Sequence, residues 1–249
     1  SGQNDLFGLA EPSHADQPQT DLLEIVTEWQ EEQLLRAEKE TLGLYLSGHP
    51  IDRYADELAQ FIPKKISELD APESKGYQRN EIPLLTAGLI VAIRTMKSKN
   101  GSRMAFITLD DQTARLEVRV FGDVYEQYQS VIQPDKLVVI QGKIGQDNFS
   151  GGLAGTAESV YDLQKARELF GKVLQLTVKH NGEDTQWISQ MQTVMTPFCG
   201  GVVPVELKYH NQNAEVMIRL GHDWQITPSD TLLKELADLP VSETVTVRY

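Results

Sequence analysis

An α+β chain with an all-β barrel at its centre is predicted from three features of the sequence. Apolar residues alternate in Leu89, Val91 and Ile93, in Ala105, Ile107 and Leu109, and in Leu116, Val118 and Val120, which is the period of half-buried strands. Residues 122–132 leave that period, because Val124, Tyr125, Tyr128 and Ile132 recur at the three-to-four spacing of a short amphipathic helix. Two more strands, 137–144 and 153–161, follow across the turn-rich loop Gly145-Gln146-Asp147-Asn148-Phe149-Ser150-Gly151-Gly152. Strand, strand, strand, helix, strand, strand within fewer than about a hundred residues fits a five-stranded, partly open Greek-key barrel of the OB type, whose usual task is to bind oligonucleotides.

The arms on either side follow from local signals. Residues 1–20 begin with Gln3-Asn4-Asp5-Leu6-Phe7 and continue into a polar, proline-bearing run whose composition predicts a flexible tail. Leu6 and Phe7 have no core nearby in sequence, so they either dock into another protein's pocket or fold back on their own domain. Residues 21–83 read as a helical hairpin and its linker. Thr27 caps a helix with Glu28 and Glu31 in its first turn and Leu34, Leu35, Leu42, Tyr45 and Leu46 on one broad face. Gly48 stops that helix, and Pro50 opens a second one running through Tyr54, Leu58 and Phe61 to Pro63. His49, at the corner between them, takes a turn role.

Pro63, Pro72, Gly76 and Pro83 punctuate the linker to the barrel domain, residues 84–164. Residues 165–249 read as a second, small α+β domain. Its elements are a short helix at 165–170, a strand at 173–178, a helix at 185–194, strands at 202–209 and 214–220, a helix at 229–239 capped by Ser229, and a strand at 244–249.

Composition limits the function. The single cysteine, Cys199, excludes an internal disulfide framework, and no apolar run approaches the roughly 18 to 20 residues that span a bilayer, so a cytoplasmic, membrane-free protein is expected. The chain opens Ser1-Gly2 rather than with methionine, which points to a piece of something longer. A net charge of -13 weighs against tight duplex binding, but most of that acidity precedes residue 84. The barrel itself is balanced, with Arg94, Lys97, Lys99, Arg103, Arg115 and Arg119 grouped in its first three strands.

Catalytic chemistry is hard to find. His14, His49, His180, His210 and His222 are scattered without metal-ligand spacing. Cys199-Gly200-Gly201 suits a residue packed beside a turn better than a nucleophile, and Gly151-Gly152-Leu153-Ala154-Gly155 lacks the Lys-Ser/Thr and the helix of a phosphate loop. Asp110-Asp111 has no third acidic ligand nearby and reads as a solvated turn. No catalytic residue, cofactor or metal is expected in this stretch.

Specific motifs then point to a family. Glu40-Thr41-Leu42-Gly43-Leu44-Tyr45-Leu46-Ser47-Gly48-His49-Pro50-Ile51 resembles the helix-corner signature that precedes the OB domain in the α subunit of bacterial DNA polymerase III. Thr86-Ala87-Gly88-Leu89-Ile90-Val91, Thr108-Leu109-Asp110-Asp111 with Leu116-Glu117-Val118, and Phe149-Ser150-Gly151-Gly152-Leu153 resemble that OB domain. Thr227-Pro228-Ser229-Asp230 with Leu232-Leu233 resembles the last domain of the γ-proteobacterial type.

The resemblance covers essentially the whole chain. It implies a non-catalytic C-terminal region, with the catalytic aspartates of the polymerase outside it. It also implies that Gln3, Asp5, Leu6 and Phe7 belong to a motif for the β sliding clamp, and that the last domain meets the τ subunit of the clamp loader. The competing reading is the OB part of another enzyme, such as an aminoacyl-tRNA synthetase, for which the ATP-site motifs expected beside the barrel are missing.

Two sets of binding residues follow. On the barrel, strand alternation turns Phe106, Arg115 and Arg119 outward, so Phe106 stacks a base of single-stranded template DNA while Lys97, Lys99, Arg103, Arg115 and Arg119 meet phosphates and Phe149 adds a second platform. The alternative for Phe106 is burial under the helical hairpin. In the last domain, Trp224, Ile226, Val245, Val247 and Tyr249 form either the τ-facing surface or part of the core.

Overall fold

A computed structural model of the chain describes residues 29, 31–70, 81–97, 101–147, 152–181, 185–212 and 214–249. The first helix, α1 (Glu31–Leu42), ends earlier than Gly48. Gly43 takes a left-handed φ of 75°, and its N–H bonds to the Lys39 carbonyl at 3.0 Å, the geometry of a glycine helix stop. Tyr45 and Leu46 therefore lie in the corner rather than on the helix face. The Glu38 carboxylate holds that corner, accepting from the Leu46 N–H at 2.7 Å and from the Ser47 N–H and hydroxyl. The second helix is shorter than expected as well: a single 3-10 turn, Asp52–Tyr54, leads into α2 (Ala55–Leu58).

Five strands follow: β1 (Ile82–Lys97), β2 (Arg103–Asp110), β3 (Arg115–Val120), β4 (Leu137–Gln146) and β5 (Leu153–Tyr161), with α3 (Gly122–Tyr128) between β3 and β4. They close in the order β1-β2-β3-β5-β4, so the barrel is closed rather than partly open. Closure depends on β1, which is 16 residues long and pairs β4 along its first half and β2 along its second. The β3–β5 pair is parallel and the other pairs are antiparallel.

Ala105, Ile107, Leu109, Leu116, Val118 and Val120 point inward and are almost fully buried, as their alternation requires. In β1 the pattern differs from the expected Leu89, Val91 and Ile93. The core takes Leu84 and Ile90, then Ile93, because an irregularity between Ile90 and Ala92 shifts the inward phase by one residue.

Helix α4 (Leu163–Phe170) connects the barrel to the second domain and is capped by Asp162, whose carboxylate accepts from the Lys165 N–H at 2.7 Å. Beyond it come β6 (Val173–Lys179), α5 (Gln186–Met195), β7 (Cys199–Val203), β8 (Val205–His210), β9 (Glu215–Arg219), α6 (Asp230–Ala237) and β10 (Ser242–Arg248). The expected strand 202–209 is divided at Pro204, which has no N–H to give a ladder. The sheet runs β10-β6-β8-β9, while β7 bridges to Ile226 instead. Ser229 caps α6 as expected, accepting from the Leu232 N–H at 3.2 Å, and Leu232 and Leu236 are fully buried against the sheet.

The corner packs on the barrel. Ile51 and Leu58 share a buried layer with Ala87 and Val139 of the β1–β4 side and with Leu163 and Ala166 of α4. Burial of each such side chain contributes about 1.5–3 kcal/mol, which fixes corner, barrel and connecting helix to one another.

Candidate nucleic-acid interface

The outward side of β1, β2 and β3 carries the chemistry. Cross-strand register sets Arg94 opposite Phe106 and Phe106 opposite Arg119, so three side chains form a row across neighbouring strands. The Arg94 guanidinium lies over the outward-facing Phe106 ring, 4.9 Å from its centroid, in a cation–π contact. Phe106 is half-buried. The corner packs against the β1–β4 side instead. The sequence places Arg94 among the basic residues of the first strands, but its position over the ring depends on register that no local pattern reveals.

The expected phosphate contacts divide into two groups. Lys97 and Arg103 face each other across the open end of the β1–β2 ladder; both are exposed, and neither makes an ion pair among the described residues. Arg115 and Arg119 are already engaged, the first with Asp110 at 2.8 Å and the second with Asp147, while Arg94 lies 3.6 Å from Glu117. Lys99 and Phe149 lie outside the described residues, as do Gln3, Asp5, Leu6 and Phe7.

The adjacent carboxylates Asp110 and Asp111 build the β2–β3 turn. Asp111 accepts from the N–H groups of Ile66, Thr113 and Ala114, tying the linker to the barrel, and Asp110 accepts from the Gln112 N–H and from Arg115. Burial pushes the Asp110 carboxyl up, but these hydrogen bonds and the Arg115 charge outweigh it and hold it below the usual range. At the corner, His49 serves the turn: its N–H bonds to Asp52 at 2.9 Å and its Nδ1 accepts from the Ile51 N–H at 3.3 Å. Among the described residues no group of acids, histidines and cysteines could hold a metal ion. No helix there is long and apolar enough to cross a membrane.

The second domain sorts its expected surface residues differently. Ile226, which bridges to Cys199 and Val203, and Val247 of β10 are both buried in its core rather than on its surface. Tyr249 turns toward the corner, stacking on Phe61 with centroids 4.5 Å apart and donating its hydroxyl to Glu57. Val245 is half-buried. Trp224, also half-buried, lines an apolar groove of about 350 Å³ with Trp187, Met191, Leu207 and Ile218. Beside the groove, edge strand β9 exposes Val216, Met217 and Ile218, which the sequence alone marked only as strand residues.

Residues 190–239 match the family described as DNA polymerase III subunit alpha, C-terminal domain, and residues 85–164 match the OB-fold nucleic acid binding domain. The chain matches the C-terminal region of DNA polymerase III α subunits. It is 38% identical over 240 residues to DNA polymerase III subunit alpha of Vibrio cholerae, covering 96% of this chain and 20% of that protein. The Escherichia coli K12 subunit is 35% identical over 251 residues, covering 100% of this chain and 21% of its own length. The chain thus spans about a fifth of the length of these relatives. Among solved structures, an SSB domain from Synechococcus is 19% identical with a TM-score of 0.29, covering 35% of this chain and 99% of its own. The second single-stranded DNA-binding protein (SSBb) of Mycobacterium smegmatis is 12% identical with a TM-score of 0.31, covering 35% of this chain and 93% of its own.

Proposed function

We propose that this chain is a tethering module of a replicative DNA polymerase, contacting single-stranded template DNA through the barrel while joining the polymerase to the β sliding clamp and to the τ subunit of the clamp loader. The observation that carries the DNA contact is the half-exposed Phe106 ring under Arg94, beside Lys97 and Arg103 on the outside of a closed OB barrel. A base stacks on a planar surface whatever its identity, here the Phe106 ring together with the guanidinium plane that overlies it, and the cations around it meet the backbone, so such a surface suits single strands without strict sequence choice.

The clamp contact rests on Gln3, Asp5, Leu6 and Phe7, and on their resemblance to a clamp motif at the head of a polar segment. A short motif on a leash holds a polymerase to a moving ring without fixing orientation. The τ contact falls to the groove beside Trp224 and the apolar edge of β9.

Stacking contributes about 1–3 kcal/mol per base, so Phe106→Ala is expected to weaken oligonucleotide binding roughly tenfold in low salt, read by fluorescence anisotropy. Unchanged affinity would remove the barrel from the proposal.

A further inference from the structure

The arginines on this side of the barrel are held by carboxylates of the chain itself. Asp110, the partner of Arg115, has a structural task in the β2–β3 turn. Glu117 is half exposed, whereas Asp147 is largely buried and its N–H also bonds to the Gly152 carbonyl at 2.7 Å. The two carboxylates neutralise Arg94 and Arg119, the two cations that flank Phe106 in the cross-strand row. Arg94 and the Glu117 side chain are both well exposed, so water and a competing anion reach that pair. A row of aromatic ring and flanking arginines suits one base with a phosphate on either side of it, and both arginines already face protein carboxylates.

We propose that Glu117 and Asp147 are internal stand-ins for phosphate, and that a single-stranded phosphodiester binds this row by displacing them from Arg94 and Arg119. The proposal rests on the oligonucleotide reading of the barrel and adds what sets its strength. Because each phosphate replaces an anion already present, the protein gains little net charge attraction from these two arginines. The phosphate sheds a counterion, and the displaced carboxylate takes one up. Lys97 and Arg103, which make no ion pair among the described residues, contribute the ordinary counterion release of about 0.7 per contact to the slope of log affinity against log salt. The guarded pair contributes almost none. The result is a surface that holds a strand weakly and lets it slide.

The test uses the whole chain, with labelled oligo-dT and oligo-U of about 15 nucleotides, near the upper end of what one OB fold covers, titrated across a range of salt. Glu117→Gln and Asp147→Asn are each expected to tighten binding several-fold at low salt and to steepen the salt slope by about 0.7, the value for one newly counted phosphate contact. Tightening with either oligomer supports the exchange, and the one that gains more identifies the strand type. Glu235→Gln, an equal change of charge at an exposed position on α6, is the control and is expected to alter neither quantity. The proposal is overturned if wild type binds and Glu117→Gln keeps its affinity and slope, or if Glu235→Gln reproduces the gain. Should Asp147→Asn fail to fold, Glu117→Gln decides alone. Absence of binding by wild type and by both variants would instead remove the oligonucleotide reading, and this proposal with it.

Discussion

Arg167 and Glu57, 110 residues apart, meet in a two-point ion pair, Nε to Oε1 at 2.7 Å and Nη2 to Oε2 at 2.8 Å. The third arm of the guanidinium reaches Asp230 at 2.6 Å and the Pro228 carbonyl at 3.3 Å, so one side chain of α4 ties the corner to the second domain. Arginine suits the place because its planar fork presents fixed donors to two carboxylates at once. Arg167 is 2% exposed, and around it Phe61 stacks on Phe170 and Tyr249 while the Tyr54 hydroxyl donates to Asp230 at 2.6 Å. Removing one partner of a buried pair costs about 3–5 kcal/mol. Arg167→Ala is therefore expected to lower the urea midpoint sharply, and Arg167→Met, which keeps the packed stem, to lower it less. Equal midpoints for wild type and Arg167→Ala would show that packing alone holds the junction.

A second prediction concerns barrel closure. Gly142 lies at the irregularity where β4 meets β5, and a Cβ there would stand 2.1 Å from the Thr156 carbonyl oxygen. Backbone cannot yield as a side-chain tip does, so Gly142→Ala is expected to cost about 1–3 kcal/mol or more, measured by thermal unfolding. A stability loss below the error of the measurement would show that the strands part there without penalty.

His49 predicts a pH dependence. Its burial in the corner lowers its pKa, outweighing Asp110, Asp52 and Asp111, which favour the charged form. A depressed folded value means the unfolded chain binds the proton more readily. Stability is then complete above the unfolded value of about 6.5 and is lost as pH falls from there through the folded value. His49→Asn, measured by urea denaturation at several pH values, should flatten that part of the curve. An identical slope in the variant would place the acid sensitivity elsewhere.

For the clamp, Leu6→Ala with Phe7→Ala is expected to abolish binding to purified β clamp while leaving the melting temperature unchanged. Burial of two such side chains in a partner's pocket contributes about 1.5–3 kcal/mol each, less the cost of ordering the tail. Retained clamp affinity, or a large drop in melting temperature, would return these residues to a core.

For τ, deleting residues 240–249 is a poor probe, since it removes β10 from beside β6 and takes Tyr249 out of the junction. Met217→Lys is cleaner. Met217 is 58% exposed on the edge strand, so the fold should tolerate the change while τ binding weakens at least tenfold in a gel-filtration or surface-binding assay. Full affinity for τ would move the contact off β9.

Strand alternation in Ala105, Ile107, Leu109, Leu116, Val118 and Val120 was enough to place a barrel and to turn Phe106 outward, because a period of two is a local property of extended backbone. The Ser229 cap was legible for the same reason. Helix α1 stops at Gly43 rather than at the expected Gly48, since either glycine can end a helix and the choice depends on Glu38 reaching forward to the corner. Ile226 and Val247 looked like surface candidates because burial in a small sheet depends on which neighbours cover it.

Local pattern in the sequence places the barrel strands and their helix in order, sets the inward face of β2 and β3, and carries a resemblance specific enough to name a polymerase subunit. That Arg94 covers Phe106, that Arg119 is held by Asp147 and that Arg167 joins the corner to the last domain follows from long-range packing alone. The reason is physical. Period and capping act over a few residues, whereas strand register and ion pairing are chosen by groups brought together from distant parts of the chain.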